Sequence, residues 1–117
     1  MFKINPETQQ IKLTRGDKVT IGFEIEDYTF MVGDKIDFKI YNKKELNKEP
    51  VMIKTVEITE ECTSINIDLN EEDTAIGDMT NKPVVYWYEI ELNDNITVIG
   101  YDEDGAKELC LYPEGVG

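Results

Sequence analysis

The chain of 117 residues falls in the size range of one domain, and it is long enough to bury a core without a metal or a disulfide framework. Its 25 acidic residues against 12 basic ones give a formal net charge of -13 at pH 7, which would repel a nucleic-acid backbone or an anionic membrane. There is no histidine, which excludes catalytic triads and metal sites that depend on imidazole.

The N-terminal sequence MFKINPETQQIKL has neither the basic region nor the apolar region of a signal peptide. No apolar run in the chain is long enough to span a bilayer. The sequence therefore predicts a protein that is made in the cytoplasm and has no membrane partner. Its acidic excess is explained first by a solvated, soluble surface, and a docking surface or a cation site is the alternative.

Four stretches alternate apolar and polar residues with the two-residue period of a half-buried β-strand. Their inward faces are predicted to carry Val19, Ile21, Phe23 and Ile25; Ile36, Phe38 and Ile40; Ile65, Ile67 and Leu69; and Tyr86, Tyr88, Ile90 and Leu92. Shorter strands are predicted at residues 11–13, 51–58, 97–101 and 108–112. Residues 70–76, which have acidic side chains in their first turn, predict a single helical turn.

Short strands separated by turn signals indicate an all-β sandwich or barrel. The last third predicts a three-stranded meander, with strands at residues 84–92, 96–101 and 107–112. The long connection before it is typical of the crossing between the sheets of an immunoglobulin-like fold, which favours a sandwich. We therefore predict one immunoglobulin-like antiparallel β-sandwich domain over residues 1–117, with Greek-key and hairpin connections and a flexible tail at about residues 113–117.

The stretch PVVYWYEIEL, residues 83–92, holds the only tryptophan of the chain. Its tyrosines share a face with aliphatic residues and are predicted to be a wall of the core, whereas Trp87 shares the other face with two glutamates. We expect Trp87 to be covered by another strand, a loop or a partner chain, and stacking on a sugar is the alternative. A sugar site would need Trp87, with Tyr41 or Tyr101, to line an open groove beside polar groups.

The acidic loop at residues 102–105 could be interpreted as a calcium site, but the further ligands of an EF-hand are missing and a hairpin turn explains it better. Paired carboxylates could hydrolyse glycosides, yet a chain this acidic brings carboxylates together by chance in almost any fold. The sequence therefore predicts a protein that is not an enzyme, with no catalytic, cofactor-binding or metal-binding residues.

Three sequence elements, taken in order, carry a family resemblance. TRGD leads into the first long strand, VGDKI opens the next, and YWYEIEL is followed by GYDEDG. Over about residues 10–115 the chain resembles small proteins of phages and prophages of Gram-positive bacteria, similar to the N-terminal domain of phage upper baseplate proteins. The resemblance implies an immunoglobulin-like sandwich that serves as a structural or assembly module of the virion tail.

Two functions follow as expectations. The first is a non-enzymatic interaction module that binds other tail or baseplate proteins through sheet edges and faces, with self-association into a homo-oligomer left open. An acidic module would suit a partner with basic patches, because complementary potentials steer association. The alternative is a carbohydrate-binding module that recognises host cell-wall glycan.

Overall fold

The computed structural model describes residues 1–44, 49–79 and 81–114. Nearly all of its regular structure is β, with 49% of residues in strands and 4% in helix. The strands are β1 (Phe2–Ile4), β2 (Ile11–Thr14), β3 (Val19–Phe23), β4 (Lys35–Tyr41), β5 (Met52–Glu57), β6 (Ile65–Leu69), β7 (Val84–Leu92), β8 (Ile96–Ile99) and β9 (Lys107–Tyr112). A helical turn, α1 (Glu71–Thr74), lies between β6 and β7.

The strands form two sheets of unequal size. The larger sheet has the order β1-β2-β9-β7-β4-β5, with β8 also paired to β7, and the smaller sheet is the antiparallel pair β3-β6. Buried residues from both sheets form a common core, in which the rings of Phe38 and Tyr88 stack with centroids 5.5 Å apart. The predicted all-β sandwich is confirmed, whereas its immunoglobulin-like and Greek-key details stay predictions.

The two-residue period correctly predicts which side chains enter this core. All the predicted inward residues of β4, β6 and β7 are buried. In β3, Val19 and Ile21 are buried, but Phe23 and Ile25 are only half-buried because the strand ends at Phe23. The predicted wall of tyrosines is also confirmed, since Tyr86 and Tyr88 both lie in the core cluster.

The predicted three-stranded meander is wrong, because among the described residues β8 does not pair with β9. Instead, β9 pairs with Val84–Tyr88 and β8 pairs with Ile90–Leu92, one after the other along the edge of β7 that β4 leaves free. Because β7 is nine residues long, it can hold two short partners on one edge. The β7–β8 hairpin is correct, and the second hairpin is not formed. The predicted antiparallel sandwich also contains one parallel pair, β2 with β9.

Strand β1 is missing from the sequence-based prediction. Within the described part of the chain it pairs only with β2, and its two apolar residues, Phe2 and Ile4, are 38% and 40% exposed. They lie opposite the buried residues Leu13 and Ile11, on the side of the sheet that faces the core. They stay exposed because a two-stranded sheet is too narrow to cover the whole of the larger one. A strand of three residues is also too short for its alternation to be recognised.

The connection between β6 and β7 passes from the smaller sheet to the larger one, as predicted. The predicted helical turn is confirmed, and it starts with a capping box in which Asn70 and Asp73 each accept a hydrogen bond from the other's backbone N–H. The guanidinium of Arg15 donates to the carbonyl oxygens of Ile76 and Gly77, at 3.2 and 2.8 Å. The turn after β2 therefore holds this long connection in place.

The start of the predicted flexible tail is attached to the rest of the molecule. The carboxylate of Glu114 pairs with the guanidinium of Arg15 at 3.1 Å, close to the end of β9. Residues 115–117 lie outside the described residues. The flexible tail stays a prediction.

We expect Ile90→Ala to lower the free energy of unfolding by about 2–5 kcal/mol, because Ile90 is 1% exposed and its truncation leaves a cavity. The exposed Glu24 provides the control, and Glu24→Ala should change stability by no more than about 0.5 kcal/mol. Chemical denaturation measures both. Equal losses in the two variants would show that the inward and outward faces are assigned wrongly.

Candidate binding groove around Trp87

Trp87 lies at the middle of β7, on the face that points away from the core. Its neighbours along the strand, Tyr86 and Tyr88, are buried, whereas Trp87 is half-buried. In register it lies between Tyr41 of β4 and Glu108 of β9. The indole is therefore held on both sides by paired strands and keeps part of its surface accessible.

A groove of about 590 Å³ lies over this indole. One wall is the turn between β1 and β2, with Glu7, Thr8 and Gln10, and the other wall is the segment Asp104–Glu108. Lys44 lies at a third side. This volume is in the usual range of ligand pockets, about 300–1,000 Å³.

Hydrogen bonds fix the conformation of the first wall. The side-chain oxygen of Asn5 accepts from the backbone N–H groups of Glu7 and Thr8, at 2.8 and 3.1 Å. Gln9 has a φ of 62°, in the left-handed region, and its carbonyl oxygen accepts from the Tyr88 hydroxyl at 2.5 Å. Since Tyr88 belongs to the core, this bond ties the wall directly to β7.

An ion pair fixes the second wall. The ammonium group of Lys107 lies 2.8 Å from the carboxylate of Asp102, and the lysine is only 6% exposed. The Lys107 hydrogen bond, with a further one from the Asp104 backbone, holds the pKa of Asp102 below its usual range. Gly105, with a φ of 96°, closes the turn through backbone bonds with Asp102. The predicted turn at residues 102–105 is therefore a wall of the groove.

The charge of the groove is mainly negative. Glu7, Asp104 and Glu108 contribute carboxylates, and none of the three forms an ion pair within the described ranges 1–44, 49–79 and 81–114. Glu108 accepts a hydrogen bond from the side-chain amide of Gln10 at 3.0 Å, which links the two walls. The charge of Lys107 is balanced by Asp102.

The three candidate interaction residues do not line one groove, although Tyr41 is the cross-strand neighbour of Trp87. Trp87 lines the groove, but Tyr41 is 3% exposed and its hydroxyl donates to the carboxylate of Glu89 at 2.5 Å. Burial, followed by that hydrogen bond, raises the pKa of Tyr41. Its burial contradicts a role as an exposed stacking ring. Tyr101 is 67% exposed but does not line the groove, so its role in interactions stays a prediction.

The outward face beside Trp87 is less exposed to solvent than the presence of two glutamates suggests. The ammonium group of Lys39 lies 2.6 Å from the carboxylate of Glu91, whose side chain is only 14% exposed. Asp37 is 5% exposed and accepts from the hydroxyl of Thr55 at 2.6 Å. Burial, opposed by the Tyr41 hydrogen bond and reinforced by the charge of Glu91, raises the pKa of Glu89. A network of polar pairs therefore supports the strand that carries Trp87.

Sequence reasoning finds Trp87 but misses its groove. Glu108 alternates with the buried residues Lys107 and Leu109, so the period of β9 does place it on an outward face. What no local pattern shows is the pairing of β9 with β7, which brings Glu108 beside the indole. Residues 7–10 are brought to the site by the parallel pairing of β2 with β9, which is also non-local.

Among the residues that the structure describes, no three histidine, cysteine, aspartate or glutamate side chains are grouped so that they could hold a metal ion. Within the same residues, no helix has the length and apolarity needed to cross a membrane. No family model, curated protein or solved structure was found to match this chain.

We expect Glu89→Gln to remove a pH-dependent part of the stability. Because the pKa of Glu89 is raised in the folded chain, its contribution is fully present below the ordinary glutamate pKa of about 4.3 and is lost as the pH rises through the folded pKa. Relative to the variant, the wild type should lose stability as the pH rises above about 4.3 and through the raised folded pKa of Glu89.

Urea denaturation at several pH values measures this difference, with Glu24→Gln as the exposed control. The control should follow the wild type. A stability difference between wild type and Glu89→Gln that stays constant with pH would contradict the assigned environment.

Proposed function

We propose that this chain is a non-enzymatic interaction module of a phage or prophage tail baseplate, which binds other virion proteins through its outward face and sheet edges. The observation that carries the proposal is the accessible indole of Trp87 on the floor of a groove with two fixed walls. Tryptophan is enriched among the residues that dominate the energy of protein interfaces, and rigid walls reduce the entropy lost on binding.

The free sheet edges supply further contact surface. Among the described residues, β1 pairs only with β2 and β5 pairs only with β4. Both edges expose apolar side chains, with Phe2 and Ile4 on β1 and Ile53, 53% exposed, on β5. Unpaired backbone groups beside apolar side chains can accept a strand from a neighbouring molecule, either another tail protein or a second copy.

The phage context rests on the sequence resemblance. The resemblance implies a location in the virion tail, after synthesis in the bacterial cytoplasm, with baseplate proteins as partners. The absence of histidine supports a role without catalysis, because the commonest acid–base group is missing.

A specific observation also favours the second candidate function, binding of host cell-wall glycan. Trp87 lines a groove beside the polar side chains of Thr8, Gln10 and Glu108, which is the arrangement that a sugar site requires. Sugars stack on an indole and use hydroxyl groups to bind such side chains. Neither tyrosine candidate contributes a second stacking ring there, and this makes the glycan function the weaker of the two.

We expect Trp87→Ala to weaken binding to a baseplate partner by about 30-fold in Kd, or about 2 kcal/mol, as is typical of a central interface tryptophan. Val85→Ala is the matched control, because Val85 lies on the same strand and face, is 41% exposed and does not line the groove. Size-exclusion chromatography with light scattering, followed by titration calorimetry, measures both variants against the tail proteins of the same phage.

A strict monomer that binds no protein in a complete panel of tail components would contradict the proposed function. Equal losses in Trp87→Ala and Val85→Ala would contradict the groove as its site. A change in Trp87 fluorescence on titration with host wall polysaccharide, without any protein partner, would favour the glycan function instead.

A further inference from the structure

The rim of the Trp87 groove has an excess of uncompensated negative charge. Glu7, Asp104 and Glu108 line it without ion-pair partners in the part of the chain that the structure describes. Lys107 is neutralised by Asp102, which leaves Lys44 as the lining residue that opposes them. An anionic ligand would therefore be repelled from the groove, and a cationic one would be attracted.

The floor of the groove favours the same kind of ligand. The face of an indole carries the strongest cation–π attraction of the aromatic side chains, and a planar guanidinium can stack on it. Glu108 is the cross-strand partner of Trp87, which places their Cβ atoms roughly 5 Å apart. A guanidinium stacked on Trp87 would thus lie within reach of a carboxylate that can accept its N–H groups.

The position of Glu108 is also fixed before a ligand binds. Its carboxylate accepts from the Gln10 amide at 3.0 Å, and β9 is paired on both edges, to β2 and to β7. A fixed acceptor beside a fixed ring lowers the ordering cost of binding a flexible, charged side chain. Arginine benefits more than lysine, because only its planar fork can stack and donate two parallel hydrogen bonds at once.

We propose that the Trp87 groove binds an arginine side chain from an exposed basic segment of a protein partner. This inference rests on the proposed function and adds the chemistry of the partner. The guanidinium stacks on the indole, Glu108 accepts its N–H groups, and Glu7 and Asp104 attract the basic residues that flank it. The groove volume of about 590 Å³ accommodates the side chain together with its adjoining backbone.

Titration calorimetry with capped nine-residue peptides tests this inference. One peptide carries three arginines separated by glycine and serine, the second replaces them with citrulline, which is neutral and nearly the same shape, and the third replaces them with lysine. The arginine peptide should bind about tenfold more tightly than the citrulline peptide, with lysine between them, and added salt should weaken its binding.

Variants of the acidic wall locate the contact. Glu108→Gln keeps an acceptor for Gln10 but removes the charge, and it should lose most of the preference for arginine over citrulline. Glu103→Gln is the control, because Glu103 is exposed in the nearby turn at residues 102–105 and does not line the groove. Circular dichroism checks that both variants fold, and Glu103→Gln should bind like the wild type.

Equal affinity for the arginine and citrulline peptides would overturn the inference. The same preference for arginine over citrulline in Glu108→Gln and Glu103→Gln would also overturn it. The inference can fail while the proposed function stands: if a baseplate partner still requires Trp87 while the peptides show no preference for arginine, the groove is an interface but not a cation site. Binding of wall polysaccharide without binding of the arginine peptide would also overturn the inference.

Discussion

The structure depends on the alternation of strand β7. One face of this strand gives the core four large side chains, from Tyr86 to Leu92, and the other face carries Trp87, Glu89 and Glu91. Because β7 pairs with β4 on one edge and with β9 and β8 on the other, it is held along its whole length. The same backbone therefore fixes the interior and presents the tryptophan outward.

The polar residues around Trp87 stabilise this arrangement and keep the surface from being apolar. Lys39 pairs with Glu91 across the strands, Tyr41 donates to Glu89, and Thr55 donates to buried Asp37. Buried polar groups are costly unless their hydrogen bonds are satisfied, and no buried side-chain nitrogen or oxygen among the described residues lacks a partner. The strand beneath the groove therefore has its polar side chains paired.

The unequal sheets explain where contact surface is left. Two strands, β3 and β6, cover only part of a seven-stranded sheet, so apolar residues of β1 lie on its core-facing side but remain exposed. A free edge and an accessible aromatic groove are features that association would bury. Both lie on the surface of the molecule, as the proposed interaction module requires.

The sequence predicts the inward faces well, because burial in a strand follows a local two-residue period, as in Ile65, Ile67 and Leu69. It fails where pairing is non-local: the parallel contact of β2 with β9 and the burial of Tyr41 depend on strands far away along the chain. The groove is missed for the same reason, since its walls come from residues 7–10 and 104–108. The proposed phage context is tested by partner binding, not by the fold.

The most direct test of this account uses the only tryptophan as a reporter. In a ¹H–¹⁵N NMR spectrum, the indole N–H of Trp87 gives one resonance, which can be followed while the arginine peptide is added. We predict that this resonance shifts together with the backbone amides of residues 7–10 and 104–108, while the amide resonances of β6, in the smaller sheet, do not shift. Shifts confined to the free edges of β1 or β5, with an unmoved indole, would contradict it.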